Sequence, residues 1–129
     1  MKMRNESLIC IVVIILIAIL EMVTGNYTKD SVEYLKSDLY QIKQEIETED
    51  KKKISEKVIN AKENWKDRAN KMAYYVEHDE LEKVNVYLVG VESNTETEEY
   101  NDAKLELEKC IYILEHIEEK YKFNLKNIF

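Results

Sequence analysis

Two histidines, two cysteines and one cluster of acids are the side chains whose types could do chemistry here, and their spacing argues against each. A helical metal site needs ligands one turn apart. Neither His78 nor His116 has a second His or Cys at i+3 or i+4. His78, followed by Asp79 and Glu80, reads as a hydrogen-bonding residue at a helix junction, and His116, beside Glu115, as a boundary residue. The acids Glu96, Glu98, Glu99 and Asp102 lack the Asp-x-Asp-x-Asp-Gly loop of a calcium site and suit a solvated helix start. With Gly25 and Gly90 the only glycines, no phosphate-cradling loop or dinucleotide fingerprint can form. No G-x-S-x-G or H-E-x-x-H occurs. The expectation is a chain without catalytic residues, metal or cofactor, and not an enzyme.

The cysteines read as two small hydrophobes. Cys10 sits near the start of an apolar run and follows Ile9, which is the wrong place for a lipobox, and Cys110 lies far away on a helical stripe. The aromatic residues remain as candidates for recognition. Trp65 falls on an apolar stripe and is expected in a core. Tyr34, Tyr40, Tyr74, Tyr75, Tyr87 and Tyr112 cannot all face one core, so some belong to its boundary or to a partner surface. The last ten residues, Lys120 to Phe129, carry three lysines, no acid, and Phe123, Leu125, Ile128 and Phe129. They fold back over the bundle end or touch an anionic membrane or a partner. Trp65, His78, His116, Phe123 and Phe129 are thus the candidate interaction residues.

These residues have to be positioned by helices. There is no proline, and charged residues make up 35 % and hydrophobic ones 45 % of the 129 residues. A chain so poor in turn formers and so rich in Lys, Glu, Leu and Ile is expected to be all-α. Four stripes recur at steps of three and four: Val32, Leu35, Leu39, Ile42, Ile46; Ile54, Val58, Ala61, Trp65, Met72, Val76; Leu81, Val84, Leu88, Val91; and Tyr100, Ala103, Leu107, Cys110 or Ile111, Leu114, Ile117, Tyr121. Thr28 or Ser31 is the expected cap of the first helix, Asp79 of the third, and Thr95 with Glu98 a capping box for the fourth. Residues 47–53 hold no apolar side chain and predict a turn, although Ile46 and Ile54 keep helical phase, so one long helix over 31–76 is an alternative. A faint repeat pairs Leu35 with Leu81, Ile42 with Leu88, Ile54 with Tyr100, Ala61 with Leu107 and Trp65 with Ile111, with Gly90 and Ser93-Asn94-Thr95 as the second turn. Such a repeat predicts two stacked helical hairpins, an antiparallel four-helix bundle.

Ahead of the bundle, Leu8 to Leu20 is uninterrupted and apolar, with eleven of its thirteen residues Leu, Ile or Val. At about −0.3 to −0.6 kcal/mol each, these residues favour insertion by roughly 3 to 7 kcal/mol. Extended to take in Ser7 and Gly25, the segment reaches ~28 Å, near the thickness of a hydrocarbon core. Residues 1–26 are therefore expected to be a short cytoplasmic tail and a signal-anchor crossing the cell membrane once through residues 8–25. Residues 27–129 then form an extracytoplasmic domain. Lys2 and Arg4 before the run, and Glu21, Asp30 and Glu33 after it, set that orientation. Val23-Thr24-Gly25 is an imperfect cleavage site, so a secreted bundle after signal removal is the alternative. The net charge is −7, and because Lys2 and Arg4 offset Glu6 and Glu21, residues 26–129 carry all of it. Such a domain repels phosphate backbones, and nucleic acid is not an expected partner.

Trp65 in the second stripe, His78 followed by acids, Leu114-Glu115-His116-Ile117 and the closing Asn127-Ile128-Phe129 resemble a family of short bacterial proteins known only as a domain of unknown function. The resemblance implies a Gram-positive spore-former type of membrane-anchored helical protein, encoded near YetF-like multi-span membrane proteins. It implies an accessory role beside a membrane partner and transfers no active site. The leading expectation is a membrane-tethered interaction module bound to a membrane protein or to copies of itself. The alternative is a small-ligand-sensing bundle, which a buried polar pocket would support.

Overall fold

The computed structural model describes residues 2–122 and contains four α-helices: α1 (Lys2–Thr48), α2 (Lys51–Met72), α3 (His78–Glu96) and α4 (Tyr100–Tyr121). Helix α1 packs on α2 and α4, and α3 packs on the same two. Successive helices run antiparallel, so the four form a square up-down-up-down bundle, with two hairpins stacked side by side. All four predicted stripes meet in its core. Every aliphatic residue of the first three is buried, as are Trp65 and Met72, and in the fourth the core position is Cys110 rather than Ile111.

The apolar segment and the first bundle helix are not separate elements. Helix α1 runs unbroken for 47 residues through Gly25, Thr28 and Ser31. The expected N-cap near Thr28 or Ser31 does not form, because both hydroxyls are satisfied inside a continuing helix. Thr28 Oγ1 donates to the Thr24 carbonyl at 2.8 Å, and Ser31 Oγ accepts from Arg68 across the α1–α2 seam at 3.1 Å. Stopping the helix here would orphan several carbonyls and amides beside an apolar segment. A single glycine disfavours the helix by only about 1 kcal/mol.

The turn after Thr48 forms as the polar ETED stretch predicts, which separates α1 from α2. Glu49 adopts φ 56°, and the Asp50 carboxylate caps α2 by accepting from the Lys53 amide at 3.2 Å. The second turn differs from expectation. Helix α3 continues past Gly90 and through Thr95, and Glu98 takes the left-handed position at φ 59°. Its amide meets the Thr95 carbonyl and the Glu99 amide the Asn94 carbonyl, a Schellman closure, so Thr95 and Glu98 end α3 rather than cap α4. Gly90 lies mid-helix facing Glu106, whose Oε2 would stand 2.7 Å from an added Cβ. Glycine here leaves room for the Glu106 side chain of α4 rather than making a turn. At the α2–α3 junction Asp79 lies in the first turn of α3, and Glu77 occupies the cap position.

Candidate functional site

Two regions stand apart from an ordinary solvated bundle: the free half of α1, and the end of the bundle that adjoins it. From Leu8 to Val23 the large apolar side chains of α1 are half to two-thirds exposed, and almost none of this stretch is buried within the protein. Sixteen residues make ~24 Å of helix, with a mean hydropathy of 2.9 in its most apolar window. An apolar surface so long and continuous is far beyond what an isolated water-exposed helix tolerates. It meets the length and composition requirements of a membrane span or a signal sequence. Cys10 is exposed on this segment. Burial pushes the thiol of Cys110, the second cysteine, up to about 12, so it is inert as a nucleophile.

Where α1 enters the bundle, hydroxyls and charges replace aliphatic side chains. The Tyr75 hydroxyl contacts Thr28 Oγ1 at 2.7 Å and donates to the Thr24 carbonyl at 3.2 Å. Burial raises its pKa, so it stays a neutral hydrogen-bonding group. Glu21 and Thr24 line one groove with Tyr75, Lys120, Tyr121 and Lys122. Glu21 therefore lies at the lysine-bearing end of α4. About two helical turns above the Tyr75–Thr24 contact, Arg68 sits 4.7 Å from the Tyr34 ring centre and 5.9 Å from that of Tyr27. This aromatic clamp fixes the guanidinium that binds Ser31.

The densest charge cluster joins α3 to α4. Glu80 is 6 % exposed. Its Oε1 accepts from Lys120 Nζ at 3.2 Å and lies 3.2 Å from His116 Nε2, while Lys120 also binds Glu77 at 3.0 Å. Both glutamates raise the Lys120 pKa and hold it charged. Tyr121 completes the seam by accepting the Glu77 amide at 3.0 Å. One buried carboxylate matched by a lysine and a histidine is a strut between helices. Among the described residues, no three of His, Cys, Asp or Glu converge as a metal site would require.

On the adjoining face, α1 and α4 form a groove of about 680 Å³ lined by Lys29, Glu33, Lys36, Glu115, Glu118, Glu119 and Lys122. Burial, then the neighbouring Glu33 carboxylate, raises the Glu118 pKa above its ordinary 4.5. A carboxyl raised by folding contributes stability that is complete below 4.5 and lost as pH rises through its folded value. Glu118→Gln removes that loss. Allowing for solvent screening, it should raise the melting temperature by roughly 1–3 °C at pH 7 and leave it unchanged at pH 4. Calorimetry of the full chain at both pH values measures the difference.

The candidate interaction residues separate by position. Trp65, 1 % exposed, is wholly inside the core and has no surface to offer a partner. His78 is exposed as the first residue of α3, with no hydrogen bond from its side chain among the described contacts. His116 is paired with Glu80, which is the residue that sequence reasoning missed: its buried place beside Leu81 is invisible until α4 is docked. Phe123 and Phe129 lie outside the described residues. Of the tyrosines, Tyr34, Tyr40, Tyr74 and Tyr112 are exposed, whereas Tyr27, Tyr75, Tyr87, Tyr100 and Tyr121 lean on the core. The interior is filled by apolar side chains, Trp65 and Met72 among them, and the grooves between helices open to solvent.

A family model described as a domain of unknown function (DUF4363) matches residues 22–128. The match begins at Met22, so it takes in the bundle and leaves the apolar half of α1 outside. No curated protein and no solved structure matches the chain.

Proposed function

We propose that this chain, which belongs to the DUF4363 family, is a single-pass membrane protein whose bundle stands outside the cytoplasm and acts as a non-enzymatic interaction module. The observation that carries the reading is the unbroken α1, whose first half exposes a continuous apolar surface and whose second half is a core helix of the bundle. A cleaved signal would discard the first half. Cleavage at Val23-Thr24-Gly25 would also cut within a helical segment that binds Tyr75 through Thr24, which favours retention. The basic residues Lys2 and Arg4 before the span and the acids after it favour a cytoplasmic N-terminus.

The partner in this reading is a membrane protein, and the family resemblance points to a multi-span protein of the YetF-like kind. A rigid helix with no linker holds the bundle over one patch of membrane, as suits an accessory subunit beside an integral neighbour. The exposed apolar residues Ile59, Val86 and Val89 on α2–α3, and Leu105 and Tyr112 on α4, give it surface to bind with. Cross-linking in intact membranes with a photoreactive residue at Tyr112 or Val89, followed by affinity purification, should yield one integral membrane protein in stoichiometric amount. Cross-links between copies of this chain would place the partner surface in a homo-oligomer. Recovery of monomer alone from both positions would defeat the proposal.

A further inference from the structure

We propose that the turn between α2 and α3, residues 73–77, is a second contact with the membrane, with the Tyr74 side chain lying among the lipid head groups. This inference rests on the reading of α1 as a span and adds the orientation of the bundle base.

The position of the turn follows from two cross-helix contacts. Arg68 meets Ser31 at 3.1 Å. Counting from that pair, Tyr74 on one arm of the helical hairpin and Gly25 on the other are each six residues away, about 9 Å along the helix axis. The Tyr75 hydroxyl on the Thr24 carbonyl, 3.2 Å away, fixes the same level independently. Gly25 lies two residues, about 3 Å, beyond Val23, where the exposed apolar surface ends. Since α1 is continuous, no flexible linker can lift the turn away from that level.

The side chains of this end suit an interface. Tyr74 is 92 % exposed, the most exposed large hydrophobic residue among those described. An aromatic ring with a hydroxyl partitions to the head-group layer, where its two ends are both satisfied. Tyr27, Tyr75 and Tyr121 lie at the same end, half-buried against the core. Lys120 and Lys122 border the groove below them, and their long stems allow the charged heads to stay in water. Charge opposes any strong demand for anionic lipid. Glu77 is bound to Lys120, and Asp79 is exposed beside it. The occupant is therefore the interfacial layer itself, and zwitterionic lipid suffices.

The test uses the full chain in phosphatidylcholine vesicles with and without bromine atoms high on the acyl chains. Three single-tryptophan variants, Ile14→Trp, Tyr74→Trp and Thr97→Trp, are made in a Trp65→Phe background. The same three in the parent chain, read as difference spectra, cover the case in which Trp65→Phe fails to fold. Ile14→Trp should lose most of its emission to bromine. Tyr74→Trp should lose a smaller but clear share and shift to the blue, and Thr97→Trp, at the far turns, should lose none. Quenching at Ile14 with Tyr74 as unaffected as Thr97 overturns this contact and leaves the span intact. A Tyr74 shielded only when a protein partner is co-reconstituted also overturns it. Absence of quenching at Ile14 removes the span reading, and this inference with it.

Discussion

Replacing Ile14 and Ile15 together by arginine should move the protein from vesicles into solution. Each arginine near the centre of a span costs about 2.5 to 3.5 kcal/mol and removes about 0.5 of favourable transfer, so the pair shifts insertion by roughly 6 to 8 kcal/mol. That matches or exceeds the roughly 3 to 7 kcal/mol that the whole run supplies. Both side chains are about half exposed and serve no contact within the bundle, so the helical signal of the bundle should survive. Flotation with vesicles measures the effect. Wild-type chain should float and the double variant should remain below. A variant that floats as well as the wild type would mean that the apolar half of α1 is not what holds the chain to lipid.

Trp65→Ala carries the largest expected loss of stability. The indole is 1 % exposed at the centre of α2, and no other buried side chain is larger. Its removal should cost about 3–5 kcal/mol, through lost transfer energy and the cavity left behind. A bundle of this size has only about 5–15 kcal/mol in total. At about 4–8 °C per kcal/mol, the midpoint should fall by roughly 12–40 °C. Trp65 Nε1 has no hydrogen-bond partner, so Trp65→Phe gives up volume but also relieves a buried donor, and should cost much less than alanine. Thermal unfolding of the full chain in micelles, followed by circular dichroism, separates the three proteins. Equal midpoints for the parent chain and Trp65→Ala would mean that the core is not built around this residue.

Much of the bundle was legible because apolar periodicity and burial share one cause. Val32 to Ile46 and Leu81 to Val91 repeat at helical spacing, and each apolar residue of those two stripes is buried. The first turn was equally legible, since a stretch without any apolar side chain leaves a helix nothing to pack. Ends defined by small polar residues were not. Thr28, Ser31 and Thr95 carry the side chains that cap helices, yet each sits inside one. Helix interiors accept such hydroxyls when they bond back one turn or across to a neighbour, as Thr28 does with Thr24 and Tyr75. Tertiary packing decided these cases, and a local signal does not record it.

The same limit applies at the base of the bundle. Glu80 sits beside Leu81 in a sequence full of glutamates, and nothing local marks it as buried. Its place depends on His116 and Lys120, some forty residues away, arriving on the adjacent helix. Arg68 likewise gains its clamp only when α1 lies alongside α2, with Tyr27 and Tyr34 spaced two turns apart. What could be read in advance was that a chain with nine tyrosines and one core must leave several at the surface. The location of Tyr74 at the level of Gly25 became visible only with the hairpin closed.

The central claim is that α1 stays whole, with one half in lipid and the other in the bundle. Washing membranes from expressing cells with alkaline carbonate, then weighing the chain in each fraction by intact mass spectrometry, addresses it directly. A chain held in lipid by α1 should sediment with the membranes at a mass that includes Leu8 to Val23. A soluble chain, either full length in the supernatant or beginning near Asn26 after loss of the apolar half, would contradict it.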